Sequence, residues 1–230
     1  DGLLDLMEWT RNRVGPTGLV IVHNTTTPMY ATENFADYVV ATEWGYKKWT
    51  DRAPDLAELP LEWSLAGAVS RGVISYGVLD ANSPQRLHRL FALEAFLGNA
   101  TPWPASDETF ALLPLLKPLG DVTSYRFADW RNPAVRLSQA RCASAVYSRP
   151  GEAYLLLVNL DPGPHEVNCV LHPHKLPCPL DAPAKAAAAA VTTSTGVRHE
   201  SPVPLDVRQL TREGIKLTIP GDGAMLIQVR

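Results

Sequence analysis

The spacing of apolar residues changes once along this chain, near Gln139. Before that point helical and strand patterns alternate. Leu3, Leu4, Leu6, Met7 and Trp9, interleaved with Asp5, Glu8, Arg11 and Asn12, have the period of an amphipathic helix. Gly15-Pro16-Thr17-Gly18 ends it, because glycine caps a helix and proline cannot continue one. Leu19-Val20-Ile21-Val22 follows with no polar alternation, the pattern of a strand covered on both faces. Tyr38-Val39-Val40-Ala41-Thr42 repeats that pattern and runs into Glu43-Trp44-Gly45-Tyr46. The pattern then predicts a helix from Leu61 to Ser70, closed by Gly72, and a third strand over Val73 to Val78. Ser83 as N-cap and Pro84 as first helical residue open a helix over Gln85 to Leu97, which Gly98 stops. A fourth strand is a candidate near Ala100-Thr101, and a further helix spans Asp107 to Leu116 after the turn Pro102-Trp103-Pro104.

Beyond Gln139 short strands dominate: Ala143 to Tyr147, Ala153 to Asn159, Glu166 to Leu171, Ile215 to Ile219 and Met225 to Val229. Pro150-Gly151, Asp161-Pro162-Gly163 and Pro220-Gly221-Asp222-Gly223 are turns between them. No amphipathic helix is expected among these strands. The Ala-rich run Ala184 to Ala190 reads either as a short helix or as an exposed loop. Strands alternating with helices imply βαβ units and a parallel sheet, whereas strands joined by turns imply a small antiparallel sheet or sandwich. The expected fold is therefore α/β. It consists of a partial (β/α)8 barrel over residues 1–135, made of C-terminal β/α units, and a small antiparallel β-sandwich domain over residues 136–230.

The formal charge of −3, with 20% charged residues, offers no basic surface for nucleic acid or an anionic membrane. No apolar run approaches the ~20 residues of a spanning helix, and no basic segment followed by an apolar core opens the chain as a signal peptide would. Cys142, Cys169 and Cys178 are too few for a disulfide scaffold, although Cys169 and Cys178 could bridge a short loop. Cys169, His172, His174 and Cys178 are zinc-ligand types at a spacing that matches no structural zinc pattern. No phosphate-binding loop, dinucleotide fingerprint or serine-nucleophile elbow occurs, so the expectation is no cofactor and no metal.

The strand endings narrow the chemistry. His23-Asn24-Thr25, Glu43-Trp44-Gly45 and Arg71-Gly72-Val73-Ile74 together resemble the second half of a glycoside-hydrolase-type TIM barrel, of the α-galactosidase-like kind. The tail, with Ala153 to Asn159 and Leu217 to Ile227, resembles the β-sandwich that closes many such enzymes. The resemblance implies carbohydrate binding or hydrolysis at the carboxyl rim of the barrel. It also implies that one catalytic carboxylate lies outside this chain, so that an upstream segment or a second chain completes the barrel.

Barrel active sites lie where strands end, and glycoside hydrolysis uses two carboxylates. Glu43, beside Trp44 and Tyr46, is the first candidate, because an aromatic surface raises a carboxyl pKa toward that of a general acid. Its bland alternative is a surface glutamate paired with Lys47 or Lys48. Asp80 is the second candidate, though Asp-Ala-Asn-Ser-Pro is also a good turn and cap sequence. Asp37 lies at the wrong end of its strand and Glu62 in the first turn of a helix, and neither is carried forward. His23 and Asn24 can donate to and accept from sugar hydroxyls, or His23 simply closes its strand. Trp44, Tyr46 and Trp49 form a cluster that can offer flat apolar faces to a sugar ring, with at least one of the three in the core, and Trp103, between two prolines, is a further platform on a rim loop.

Overall fold

The computed structural model describes residues 2–23, 35–42, 74–77, 84–102, 106–131, 134–180 and 185–230. Helix α1 (Gly2–Val14) ends at Gly15, whose φ of 73° is the left-handed cap geometry that glycine adopts without strain. Four short parallel strands follow in sequence order: β1 (Ile21–His23), β2 (Tyr38–Thr42), β3 (Ile74–Gly77) and β4 (Ala100–Pro102). Parallel neighbours need long crossovers, and between β3 and β4 that crossover contains helix α2 (Gln85–Leu97). The helix expected over Leu61 to Ser70 lies outside the described residues.

Arg11 fastens α1 to this sheet. Its guanidinium donates to the Phe35 carbonyl at 2.8 and 3.0 Å and to the Asp37 carboxylate at 2.6 Å. The same carboxylate oxygen accepts from the Val20 N–H at 2.8 Å. These two donors, the backbone one first, hold the Asp37 carboxyl below the usual range. Asp37 thus joins α1 to the start of the sheet.

Among the described residues two antiparallel sheets follow. A six-stranded sheet, in the order β11-β10-β13-β8-β7-β5, contains β5 (Arg126–Ala128), β7 (Cys142–Arg149), β8 (Glu152–Asn159), β10 (Ala186–Thr193), β11 (Gly196–Leu205) and β13 (Gly223–Val229). A three-stranded sheet, in the order β12-β9-β6, contains β6 (Val135–Leu137), β9 (His165–Leu171) and β12 (Ile215–Ile219). Side chains alternate faces along a strand, so β8 serves two cores. Tyr154, Leu156 and Val158 pack with α2, while Ala153, Leu155 and Leu157 pack with the three-stranded sheet. Every residue of β8 is buried.

Several expectations are corrected. The Ala-rich run is neither helix nor loop: from Ala186 it forms β10, held between β11 and β13. Alanine favours helices by only a fraction of a kcal/mol per residue, and two ladders of strand hydrogen bonds outweigh that. A bulge between Ala188 and Ala190 then switches faces, so Ala186 joins one core and Ala190 the other.

A helix does interrupt the late strands. Helix α4 (Val207–Arg212) is too short for a periodic signal, but the Asp206 side chain caps it by accepting from the Arg208 and Gln209 N–H groups. Helix α3 (Asp107–Leu112) stops short of the expected Leu116 and tightens into a 3-10 turn over Leu113–Leu119. Pro114 and Pro118 each lack the N–H that an α-helix needs. Pro84 occupies the N-cap of α2 and not its first turn, with φ −53° and ψ 139°.

No disulfide joins Cys169 to Cys178. Cys169 points into the core between the antiparallel sheets, where burial pushes its thiol up to about 12. Cys178 lies beyond a 3-10 turn, with its N–H donating to Ser148 Oγ on β7. Among the described residues no group of His, Cys, Asp and Glu converges as a metal site, and no helix is long and apolar enough to cross a membrane.

Thiol titration of the unfolded protein is expected to return all three cysteines free. Leu155→Ala and Leu156→Ala, neighbours on opposite faces of β8, should each cost about 2–5 kcal/mol in urea unfolding. A loss confined to one of them would mean that only one face of β8 is tightly packed.

Candidate functional site

The four parallel strands run the same way, so their carboxyl ends open on one rim. β1 ends at His23, β2 at Thr42, β3 at Gly77 and β4 at Pro102. The register sets His23 opposite Val40, Thr42 opposite Gly77, and Gly77 opposite Pro102. In sequence, Asn24 directly follows β1, Glu43 follows β2, and Trp103 follows β4, while Asp80 is three residues past β3. Asn24, Glu43, Trp44, Tyr46, Asp80 and Trp103 lie outside the described residues, and His23 is described only as the last residue of its strand.

Behind this rim, α2 is pinned to the antiparallel part of the chain. Arg86, in its first turn, donates through Nε and Nη2 to both carboxylate oxygens of Asp222, at 2.7 and 2.8 Å. One turn on, Arg89 donates to the Asp222 carbonyl at 2.5 Å and to the Thr193 carbonyl at 2.7 Å. Asp222 sits at φ 42° in the turn between β12 and β13, and its N–H donates to the Asp161 carbonyl. At the far end of α2, Tyr147 Oη donates to the Phe96 carbonyl at 3.1 Å from β7. The bidentate geometry is the strong form of a guanidinium–carboxylate contact. Sequence reading missed this clamp because its partners lie more than a hundred residues apart.

The densest polar cluster among the described residues surrounds Glu152, at the start of β8. Tyr125 Oη donates to it at 2.9 Å, Gln228 Nε2 at 2.6 Å, Arg149 Nε at 2.9 Å and Arg230 Nε at 3.0 Å. Arg149 also stacks over the Tyr125 ring, 4.6 Å from its centre. Burial alone would push this carboxyl upward, but the four donors overrule it and bring it down to about 2. Burial, then the bond to Glu152, raises the Tyr125 hydroxyl well above its usual value. A carboxylate so fully engaged has no proton to give and no free lone pair turned outward. Glu152 is a structural lock, and its chemistry differs from that of a general acid.

No protein-family model matches the chain, and no curated protein matches it in sequence. Solved structures do match it. An α-amylase from Geobacillus thermoleovorans, in complex with acarbose, aligns over 99% of this chain and 56% of its own length, with 12% identity and a TM-score of 0.56. A GH30 endoxylanase from Clostridium papyrosolvens C71 aligns over 98% of this chain and 59% of its own, with 9% identity and a TM-score of 0.52. A maltogenic α-amylase from Thermotoga neapolitana aligns over 98% of this chain and 58% of its own, with 14% identity and a TM-score of 0.50. At such identities the likeness is one of fold: a mixed α/β chain with antiparallel sheets, of glycoside-hydrolase type. The chain spans less than two thirds of the length of these structures.

The Glu152 lock generates a pH prediction. Its folded value lies below the ordinary 4.5, so its stabilisation is present above about pH 4.5 and is lost as pH falls through about 2. We expect Glu152→Gln to lower stability at neutral pH by about 2–3 kcal/mol, since both arginine partners are half in water. It should also flatten the dependence of denaturant midpoint on pH between 4.5 and 2. An unchanged slope would show that Glu152 does not carry the acid sensitivity.

Proposed function

We propose that the chain is the later portion of a glycoside hydrolase-like unit that acts on carbohydrate by carboxylate acid/base chemistry at the rim of a parallel barrel. The observation that carries this is the sheet itself: four parallel strands, in sequence order, ending on one rim. In barrels of this class the chemistry sits at that rim. In this reading residues 1–135 are part of a (β/α)8 barrel and residues 136–230 a β-sandwich domain. The finer assignment, an α-galactosidase-like barrel, is supported by the strand endings His23-Asn24-Thr25 and Glu43-Trp44-Gly45 alone.

Cleavage of a glycosidic bond passes through a cation-like sugar and needs one carboxyl group to protonate the leaving oxygen. A second acts as nucleophile or activates water. Glu43 takes the role of proton donor or base, placed one residue past β2. Asp80, past β3, is the weaker second carboxylate. His23 and Asn24 would hold sugar hydroxyls, and Trp44, Tyr46 and Trp103 would stack on ring faces.

A second reading belongs to a different class: a non-catalytic chain that binds carbohydrate through the same aromatic residues. The coverage favours it, because a chain spanning under two thirds of the matched hydrolases need not contain both carboxylates.

Assays of aryl glycosides and of reducing-end release from polysaccharides separate the two. Glu43→Gln is expected to reduce kcat on any cleaved substrate by about a thousandfold or more, with the unfolding midpoint unchanged. A rate equal to that of the parent would remove Glu43 from the mechanism. Sugar-dependent quenching of tryptophan fluorescence without turnover would put the binding reading first.

A further inference from the structure

The two histidines that neighbour Cys169 and Cys178 in sequence keep different company in the fold. Cys169 points into the core, and Cys178 lies past the 3-10 turn Pro173–Lys175. His172 and His174 meet each other at the end of β9, edge to face, with ring centres 6.0 Å apart. Two permanent cations join them: Lys175 on the same turn and Arg136 on β6. Val135 and Leu137, on either side of Arg136, join the core, so Arg136 stands on the outer face of the three-stranded sheet. Arg136, His174 and Lys175 are exposed and His172 is half-buried. The net charge of −3 conceals this local excess.

The backbone beneath the cluster is fastened. The His172 N–H donates to the Ala134 carbonyl at 2.7 Å, the Lys175 N–H to the His172 carbonyl at 3.0 Å and the Leu176 N–H to the Pro173 carbonyl at 3.2 Å. Leu176 is buried between the antiparallel sheets, and the Cys178 N–H donates to Ser148 Oγ at 2.9 Å. The four basic side chains are therefore held together by their scaffold and not by a shared partner. Elsewhere a carboxylate draws basic groups together: Glu152 gathers Arg149 and Arg230, and Asp161 gathers Arg141 and His165. Among the described residues no ion pair engages Arg136, His172, His174 or Lys175. Burial, then Lys175, Arg136 and His174, holds the His172 imidazole below its usual value. A fixed group of like charges raises the energy of the folded chain, and an anion seated among them relieves it.

We propose that this end of the β-domain binds an acidic polysaccharide, with a uronate carboxylate seated among Arg136, His172, His174 and Lys175. The guanidinium of Arg136 can meet both oxygens of a carboxylate, Lys175 adds a point charge, and the imidazoles donate N–H groups when protonated. The same neighbours oppose a metal, because a cation held between the imidazoles would face Arg136 and Lys175. The choice of a glycan among polyanions rests on the carbohydrate reading above. Charge supports it: so few basic groups on a chain of net charge −3 suit carboxylates spaced along a sugar polymer better than a continuous phosphate backbone. The three-stranded sheet packs on the face of β8 opposite to α2, so this is a second binding surface, apart from the rim.

Calorimetric titration of the protein with a polygalacturonate oligomer tests this, with an oligodeoxynucleotide of equal charge as the rival polyanion. The expected result is an affinity for polygalacturonate that falls as salt is added. It should rise at least about threefold from about pH 8 to about pH 5.5, because a bound anion favours the protonated form of His172, and His172→Asn should lose that gain. Arg136→Gln and Lys175→Gln should each weaken binding about tenfold. Both should leave the unfolding midpoint unchanged or higher, since each removes a like-charge repulsion. Affinity unchanged in both glutamine variants, or no tighter at the lower pH, would overturn the proposal. Equally tight binding of the oligodeoxynucleotide would also overturn it, by making the surface a general polyanion site. Polygalacturonate binding by a protein that cleaves no glycoside would support this inference and remove the catalytic reading; glycoside cleavage without polygalacturonate binding would do the reverse.

Discussion

A strand with no solvent side governs this molecule. β8 lies in the middle of the six-stranded sheet, with α2 and α3 on one face and the three-stranded sheet on the other. Both sets of alternating side chains must then be apolar, which is why Tyr154-Leu155-Leu156-Leu157-Val158 has no polar position. Each fully buried aliphatic side chain contributes on the order of 1.5–3 kcal/mol, so the strand ties two cores into one cooperative body. The remaining elements are arranged by what each face accepts: helices on one side, strands on the other.

Charge finishes what burial begins. Asp222 receives Arg86 and Arg89 from α2, and its own N–H reaches the Asp161 carbonyl, so one turn joins three parts of the chain. Glu152 closes the opposite end of the sheet with Tyr125, Arg149, Gln228 and Arg230. The two clusters differ in consequence. The Asp222 clamp fixes the first turn of α2, the element that follows the β3 strand end where Asp80 lies in sequence. The Glu152 cluster ties the start of β8 to β7, β13 and Tyr125, and what it contributes is stability.

Much of the architecture was legible along the chain because it depends on local period. The helix over Gln85–Leu97 and the strands Tyr38–Thr42 and Ile215–Ile219 have the boundaries that their apolar spacing implies. The failures share a cause. Ala186–Thr193 has helical composition but strand structure, because its fate depends on partners around forty residues further along and immediately beyond its own hairpin. β5 and β6 are three residues each, too short for any period to register. Cys169 and Cys178 are close in sequence, yet the alternation of β9 turns Cys169 inward.

The candidate site divides along the same line. Residue types and their positions at strand ends are properties of the sequence, and they alone single out His23, Asn24, Glu43 and Asp80. That β1, β2, β3 and β4 lie side by side in that order, parallel and ending on one rim, is a property of the sheet. Short-range pattern determines which segments are strands and which helices, because hydrophobic period and capping act within a turn or two. Pairing order, the double coverage of β8 and the clamps on Asp222 and Glu152 were decided only by the tertiary structure, because hydrogen-bond ladders and buried charges take partners from anywhere in the chain.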